Sequence, residues 1–408
     1  MLVTTNMIEM KYCNRCVYPE ISVNLDLDDD GICSSCRVFE EMEEIDPDLW
    51  EQRKDKLIQI LENARNTTPG DYDCIIPVGG GKDSYWQVHV IKDLGFEPLL
   101  VTYHGNNYLP EGQKNLDRMA EVFNCDHYIF HPGVETLKKI NKLTFQMMGD
   151  MNWHNHAGIL TIPAQAAVRF QTPLFVWGET PWDISGMHSP DDYAEFNKRM
   201  VFEHDMRGYS REDMIGKGGI TENELRWCRM PSDEEFADNQ LKGIYIGNFI
   251  KWDPNRQTEI IMEKYDWEPA RLPFERTYRM FSNLDDMHEN GIHDYMKWIK
   301  FGYGRCSDHA SKDIRTGYMT REEAIEMVRK YDHVKPYRDL NRWLEYVDMS
   351  EDEFDRIADG FRDPRVWSKN DSGAWVKEYL GLCFKADSLN VEILFKMHNA
   401  RHSSRASV

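Results

Sequence analysis

Three groups of residues have the types and spacing to do chemistry. The first is Cys13-x-x-Cys16 followed by Cys33-x-x-Cys36. Each pair offers two thiolates from one tight turn, and two such turns complete a tetrahedral four-sulfur zinc site. A closed set leaves no position for water, so the expected role is structural; an iron–sulfur cluster would suit the same four thiolates. Between the pairs, Asp26, Asp28, Asp30 and Gly31 begin like a calcium loop, but the twelfth position is Arg37 instead of a bidentate Glu. They read as a solvated acidic turn.

The second group is PVGGGKDS, residues 77–84. Gly79, Gly80 and Gly81 let backbone N–H groups approach phosphate oxygens, and the helix that opens behind them adds its positive dipole end. Lys82 supplies charge, Ser84 a hydroxyl, and Asp83 a carboxylate for Mg²⁺ carried by a nucleotide. Lys82 and Asp83 are the candidate catalytic pair, and ATP is the expected nucleotide. A phosphate loop of the Walker type needs Ser or Thr after its Lys. Here Asp83 follows, and Ile76 stands where that motif begins with Gly. Transfer of a γ-phosphoryl group is therefore disfavoured.

The third group is KFGYGRCSDHASKDIRTGYMTREE, residues 300–323. It reads as a loop dense in charge. Arg305, Asp308, His309 and Arg315 are candidates for holding a polar or anionic substrate, since Arg offers paired donors. A solvated loop with internal salt bridges accounts for the same composition.

The elements that position these groups follow from the hydrophobic pattern. Short apolar runs at 74–78, 98–103, 127–130 and 173–177 alternate with helical stretches, the pattern of a parallel α/β sheet. Ligands in such sheets sit beyond the carboxyl ends of the strands. Tyr103 and His104 after the second run, and Gly178 and Glu179 after the fourth, are therefore further candidate nucleotide contacts. Residues 185–240 break the rhythm and read as an insertion, and 243–250 reads as one more strand. From about 268 the pattern is mostly helical, with capping boxes at Thr320/Glu323 and Ser350/Glu353. The expected organisation is a cysteine module at 1–45, an ATP-binding domain at 46–265 and a helical region at 266–408.

Composition excludes several classes. The 408 residues carry a formal net charge of −21, which argues against a dedicated nucleic-acid binder, because such surfaces must neutralise phosphates. No apolar run approaches the ~20 residues of a membrane span, and the first residues do not read as a signal peptide. A cytoplasmic protein with reduced thiols is expected. Outside the paired cysteines, Cys74 lies in a strand, Cys125, Cys228 and Cys383 are isolated, and Cys306 lies in the charged loop. None reads as the activated nucleophile of a glutaminase.

Gly80, Gly81, Asp83 and Ser84 resemble the SGGxDS signature of the PP-loop ATP pyrophosphatases, with Gly79 in place of the leading Ser. That superfamily cleaves ATP to AMP and pyrophosphate and adenylylates an oxygen that a nucleophile then displaces. CNRC with CSSC, the glycine loop, WGET at 177–180 and FGYGRCSDHASKDIRTGYMTREEAI together resemble the N-acetyl sugar amidotransferases of bacterial surface-polysaccharide and nonulosonic-acid biosynthesis. The resemblance runs from Cys13 to about Asp332. It implies an adenine nucleotide alpha hydrolase-like sheet, ATP with Mg²⁺, and conversion of a sugar's acetamido group to acetamidino by ammonia. It also implies a separate glutaminase with a barrel partner. Oligomerisation remains open. The alternatives are a PP-loop tRNA sulfur transferase, for which Cys306 would be the reactive thiol, and a non-catalytic zinc-ribbon scaffold.

Overall fold

The computed structural model describes residues 10–179, 189–191, 193, 195–196, 201–281 and 287–377. Part of the insertion, the Thr180 end of WGET and Cys383 lie outside these residues.

The chain begins with two knuckles that carry the cysteine pairs and lead into helix α1 (Ser34–Glu44). Arg37 on α1 binds back to Asp28 at 2.7 Å and to Asp30 at 2.8 Å. The residue that denies the turn a calcium loop's last ligand instead closes it as an ion-paired turn. Helix α2 (Pro47–Thr67) starts where it does because Asp46 accepts from the Asp48 N–H and Pro47 fills the first turn.

A five-stranded sheet follows. Strand β1 (Cys74–Pro77) runs into the glycine loop and helix α3 (Lys82–Asp93). Strand β2 (Pro98–Tyr103), helix α4 (Pro110–Phe123), strand β3 (His127–Phe130), and helices α5 (Val134–Met148) and α6 (Trp153–Arg169) come next. Strand β4 (Leu174–Trp177) precedes the insertion, whose described parts include the short helices α7 (Arg211–Met214) and α8 (Asp233–Asp238). Strand β5 (Lys242–Tyr245) and helix α9 (Pro254–Tyr265) close the domain. The strand expected at 243–250 ends at Tyr245, where the backbone turns into a 3₁₀ turn at Ile246–Asn248.

All five strands are parallel, in the order β3-β2-β1-β4-β5. The chain winds outward from β1 to β3, then returns across β1 to β4. The direction reverses between β1 and β4, which is where a crevice opens in a doubly wound sheet. Every residue of β2 is buried, as a strand covered on both faces must be. Leu57, Val88 and Leu116 pack on one face, and Ile140, Trp153 and Trp227 on the other.

The C-terminal region is helical, with α10 (Glu289–Phe301), α11 (Arg305–Arg315), α12 (Arg321–Tyr331), α13 (Tyr337–Val347) and α14 (Glu351–Asp359). It ends in an antiparallel hairpin, β6 (Trp367–Lys369) and β7 (Trp375–Lys377). Helices α10 and α13 share a core with Phe145 of α5, so this region is packed directly on the sheet domain. The stretch expected as a charged loop, 300–323, is mostly helix. Gly302 ends α10 at φ +69°, Gly304 precedes α11, and Arg305, Asp308, His309 and Arg315 all lie on α11. Burial of opposite charges against each other allows this, and composition did not reveal it.

Candidate active site

The glycine loop sits at the carboxyl end of β1, at the point where the winding reverses. Gly80 has φ +85°, and a Cβ there would lie 2.7 Å from the backbone nitrogen of Leu116 in α4. Only glycine takes that conformation at that approach. The Trp267 indole N–H donates to the Gly80 carbonyl at 3.0 Å, and the Gly79 N–H donates to the Ser84 hydroxyl at 3.0 Å. The loop is therefore fixed before any ligand arrives, with Gly81 as the residue from which α3 begins.

Lys82 is 2% exposed and its ammonium lies 2.6 Å from the Asp83 carboxylate. Burial pushes the Asp83 carboxyl up; Lys82 opposes this, Glu179 adds to it, and Lys312 opposes it again. Those four residues form one electrostatic unit. Glu179 follows β4 on the other side of the reversal, and the Lys312 ammonium on α11 lies 3.3 Å from its carboxylate. Gly178 is held by close approach: a Cβ would meet the Gln87 amide nitrogen at 2.3 Å.

Behind Lys312, α11 carries a buried charge network. Arg305 binds Asp294 of α10 at 2.7 Å, and Arg276 binds the other oxygen of Asp294. Lys297 binds Asp308 at 2.7 Å. Asp313 accepts from Arg279, from the Tyr278 hydroxyl and, at 3.1 Å, from the Asn255 amide of α9. The imidazole of His309 pairs with the Thr277 hydroxyl at 2.8 Å. Burial, then the charges of Arg279 and Arg305, hold His309 well below the usual histidine range, so it is neutral.

Residues 275–380 match the family model described as LPS biosynthesis protein WbpG-like, C-terminal domain. The match supports, in that part of the chain, the resemblance read from the sequence. It encloses Arg276, Arg279, Asp294, Lys312 and Asp313, so the whole of the buried network apart from Asn255 lies inside the WbpG-like segment. No curated protein matches the chain. Among solved structures, NMN synthetase from Francisella tularensis aligns with 12% identity over 55% of this chain and 98% of its own, with a TM-score of 0.28. A score that low carries no argument about the site.

The structure brings some of the expected residues together and separates others. Gly79 to Ser84 and Glu179 converge around the reversal; Arg305, Asp308 and His309 share α11 with Lys312, which reaches Glu179, but their own partners are Asp294, Lys297, Tyr18 and Thr277. His104 lies at the end of β2, its ring stacked on His131 at 4.1 Å and bonded to Gln113 at 3.0 Å. Tyr103 does not face the crevice. Its ring packs on Gly158 and Trp227, and its hydroxyl bonds His154 at 3.0 Å inside the core. Alternation along β2 sends its side chain to the face opposite the one Thr102 occupies.

Arg315 is also displaced from the expected group. It is half-buried against the cysteine cluster, where its titratable neighbours are Tyr18, Cys16, Cys36 and Cys33. The four cysteine sulfurs lie within 4.8 Å of one another and are buried. Cys13 sulfur accepts from the backbone N–H groups of Arg15, Cys16 and Cys33 at 3.3 to 3.4 Å. Hydrogen bonds from the other three thiols push Cys13 far down, while the contact with Cys13 pushes Cys33 far up. The set shares its protons and cannot ionise fully without a cation. A tetrahedral zinc ion fits four such sulfurs, and its tetrathiolate complex, net −2, would find in the adjacent Arg315 a compensating charge.

The WbpG-like segment holds this cluster in place. Tyr18 donates to Asp308 at 2.9 Å, and Arg321 donates to the Cys16 and Cys13 carbonyls at 3.1 and 3.2 Å. One helix, α11, thus touches the cysteine module through Asp308 and the glycine-loop crevice through Lys312. Residue reasoning missed Lys312, Arg276, Arg279, Asp294 and Trp267. Arg276 and Arg279 stand three apart in FERTYRMF, a visible signal just outside the stretch singled out.

Proposed function

We infer that the chain is an ATP-dependent, AMP-forming amidotransferase that converts an acetamido group of a bacterial sugar to acetamidino. The observation that carries this reading is the Lys312–Glu179 contact. It joins the segment similar to LPS biosynthesis proteins to the glycine loop, so substrate and nucleotide would meet at one crevice.

In this reading the loop N–H groups, Lys82 and Ser84 hold the triphosphate. Asp83 and Glu179 offer carboxylates to Mg²⁺, which would neutralise charge on the phosphates when bound. An amide oxygen is a poor leaving group, and adenylylation makes it a good one. The buried Arg residues are already paired with Asp294 and Asp313, so they orient the neutral His309 and Lys312 instead of gripping an anion directly. Zinc at Cys13, Cys16, Cys33 and Cys36 would fix α11 from behind.

The alternatives lose support. Cys306 is fully buried and burial pushes its thiol up, so it is a poor candidate for the reactive thiol of a sulfur transferase. Cys125 and Cys228 are pushed up to about 11 and about 12 by burial. Neither suits a glutaminase nucleophile, and ammonia would come from solution or from a separate glutaminase with its barrel partner.

The test is to incubate the protein with ATP, Mg²⁺, ammonium and a panel of acetamido sugars. Mass spectrometry should find AMP together with a product lighter by ~1 Da, as replacement of O by NH requires when a nucleophile displaces the adenylate. AMP and pyrophosphate without that product would overturn the reading.

A further inference from the structure

Three residues beyond the end of β2 lies a second buried polar group that the nucleotide chemistry does not use. Gly105, Asn106 and Asn107 continue from His104, and Asn106 and Asn107 both have positive φ, +64° and +53°. Two successive non-glycine residues in the left-handed region are uncommon and cost energy that the surroundings must supply. The loop is clamped by close approach: a Cβ on Gly105 would lie 2.1 Å from the Asn155 amide oxygen of α6. The Asn107 carbonyl accepts from the His288 N–H at 3.1 Å.

What the strained loop holds is Glu289, the first residue of α10. It is 1% exposed. The Asn107 amide donates to one of its carboxyl oxygens at 2.5 Å. The other oxygen is buried and has no hydrogen-bond partner. The Tyr346 hydroxyl lies beside the same two asparagines and close to Glu289. An unpaired buried carboxyl oxygen is expensive unless a donor fills the place beside it. Burial pushes the Glu289 carboxyl up to about 8, against the pull of Asn107.

The chain leading to this place starts beside the glycine loop. The Thr102 hydroxyl donates to the Val78 carbonyl at 2.7 Å, so the end of β2 lies beside the start of that loop. Asn107 is three residues past His104, at most ~11 Å of chain. The same connection leads into α4, whose Leu116 nitrogen seats Gly80.

We propose that Glu289, held by Asn107, is the docking point for the ammonia nucleophile, binding it as ammonium and taking one proton from it. The proposal rests on the amidotransferase reading for its chemistry. The ligand must be small, since the place is buried, and rich in donors, since the open carboxyl oxygen of Glu289 accepts and the Tyr346 hydroxyl beside it can accept too. Ammonium meets both demands. Ammonium binds with release of the carboxyl's own proton to solvent; one ammonium proton then passes to the carboxylate, and the freed nitrogen lone pair forms the C–N bond at the adenylylated carbon. The C–O bond to AMP breaks, and the departing phosphate takes the proton that the adduct sheds. A carboxyl raised so far toward ammonium's own proton affinity makes the first transfer nearly balanced.

The test uses the full-length protein with its metal. Ammonium chloride, with potassium chloride as control, is titrated calorimetrically into wild type and Glu289→Gln, the latter checked for an unchanged melting temperature at pH 5. The proposal expects saturable, ammonium-specific heat that weakens roughly 10- to 100-fold in Glu289→Gln, the scale of one charge-assisted hydrogen bond. Asn107→Ala should weaken it also. Equal binding in wild type and Glu289→Gln, or no ammonium-specific heat, would show that the oxygens hold water only and would overturn it. In the sugar assay, Glu289→Gln should raise the KM for ammonium while leaving sugar-dependent pyrophosphate exchange intact. A wild type that makes no amidine but still binds ammonium through Glu289 would refute the amidotransferase reading and not this site.

Discussion

The two ends of the crevice are built on different principles. On the sheet side, the glycine loop is shaped by backbone: one positive φ, one close approach to α4, a hydrogen bond from the Trp267 indole to Gly80 and one from the Gly79 N–H to the Ser84 hydroxyl. On the C-terminal side, Arg276, Arg279, Arg305, Asp294 and Asp313 are 0–15% exposed in their side chains and held by one another. The first design tolerates local change, because its geometry belongs to the chain itself. The second does not, because removing one partner leaves an uncompensated buried charge. Position is cheap to hold in one region and depends on complete pairing in the other.

The cysteine cluster should matter most, because the C-terminal side leans on it through Tyr18, Arg315 and Arg321. Cys33→Ser, or stripping the metal with a chelator, should abolish cooperative folding of the C-terminal helices. Structural zinc sites contribute on the order of 10 kcal/mol in small domains. Circular dichroism and bound-metal content would check this. If the helices melt unchanged without metal, the cluster does not support α11.

Asp294→Ala should follow. It strands Arg276 and Arg305 together and should cost about 3–5 kcal/mol in chemical denaturation. Ser84→Ala, on the sheet side, should cost about 1 kcal/mol, one ordinary hydrogen bond. Equal costs for the two would erase the contrast between the regions.

Smaller still is an effect of pH. The folded Glu289 carboxyl, raised to about 8 by burial, keeps a proton that an unfolded Glu releases near ~4.3. The folded state therefore binds more protons between those values, and stability from this group falls as pH rises through that window. Glu289→Gln cannot lose such a proton. The melting temperatures of the two proteins should coincide near pH 4 and diverge toward pH 8.5, with the variant higher. Parallel curves would mean that Glu289 is ionised throughout.

The same contrast decides what was legible in the sequence. The glycine loop, the strands and the paired cysteines are local signals, and each residue's neighbours in the chain determine its role. The order β3-β2-β1-β4-β5 then puts the loop and Glu179 on the two sides of the reversal, as the strand ends imply. Arg305, Asp308 and His309 were visible as chemistry but not as helix. Their charges are buried against Asp294, Lys297 and Thr277, on segments before residue 300. Tyr103 was misplaced because strand alternation turns it to the other face. Arg315 was misplaced because its partner is the cysteine cluster, some 280 residues earlier in the chain. Glu289 gave no signal at all, since only the fold brings it to Asn107. None of the described helices is long and apolar enough to cross a membrane, which agrees with the hydropathy pattern.

The central claim is that both sides act on one ATP-consuming reaction, and Lys312→Met tests it most directly. Its ammonium reaches from α11 to Glu179 at 3.3 Å. Sugar-dependent release of AMP and of the amidino product would be measured side by side with the melting temperature. The account predicts that both products fall together by roughly 100-fold, the scale of losing one preorganised charge at a reacting phosphate, with melting within a degree or two of wild type. Unchanged formation of AMP and amidine would contradict it, and would mean that the WbpG-like segment and the glycine loop work apart.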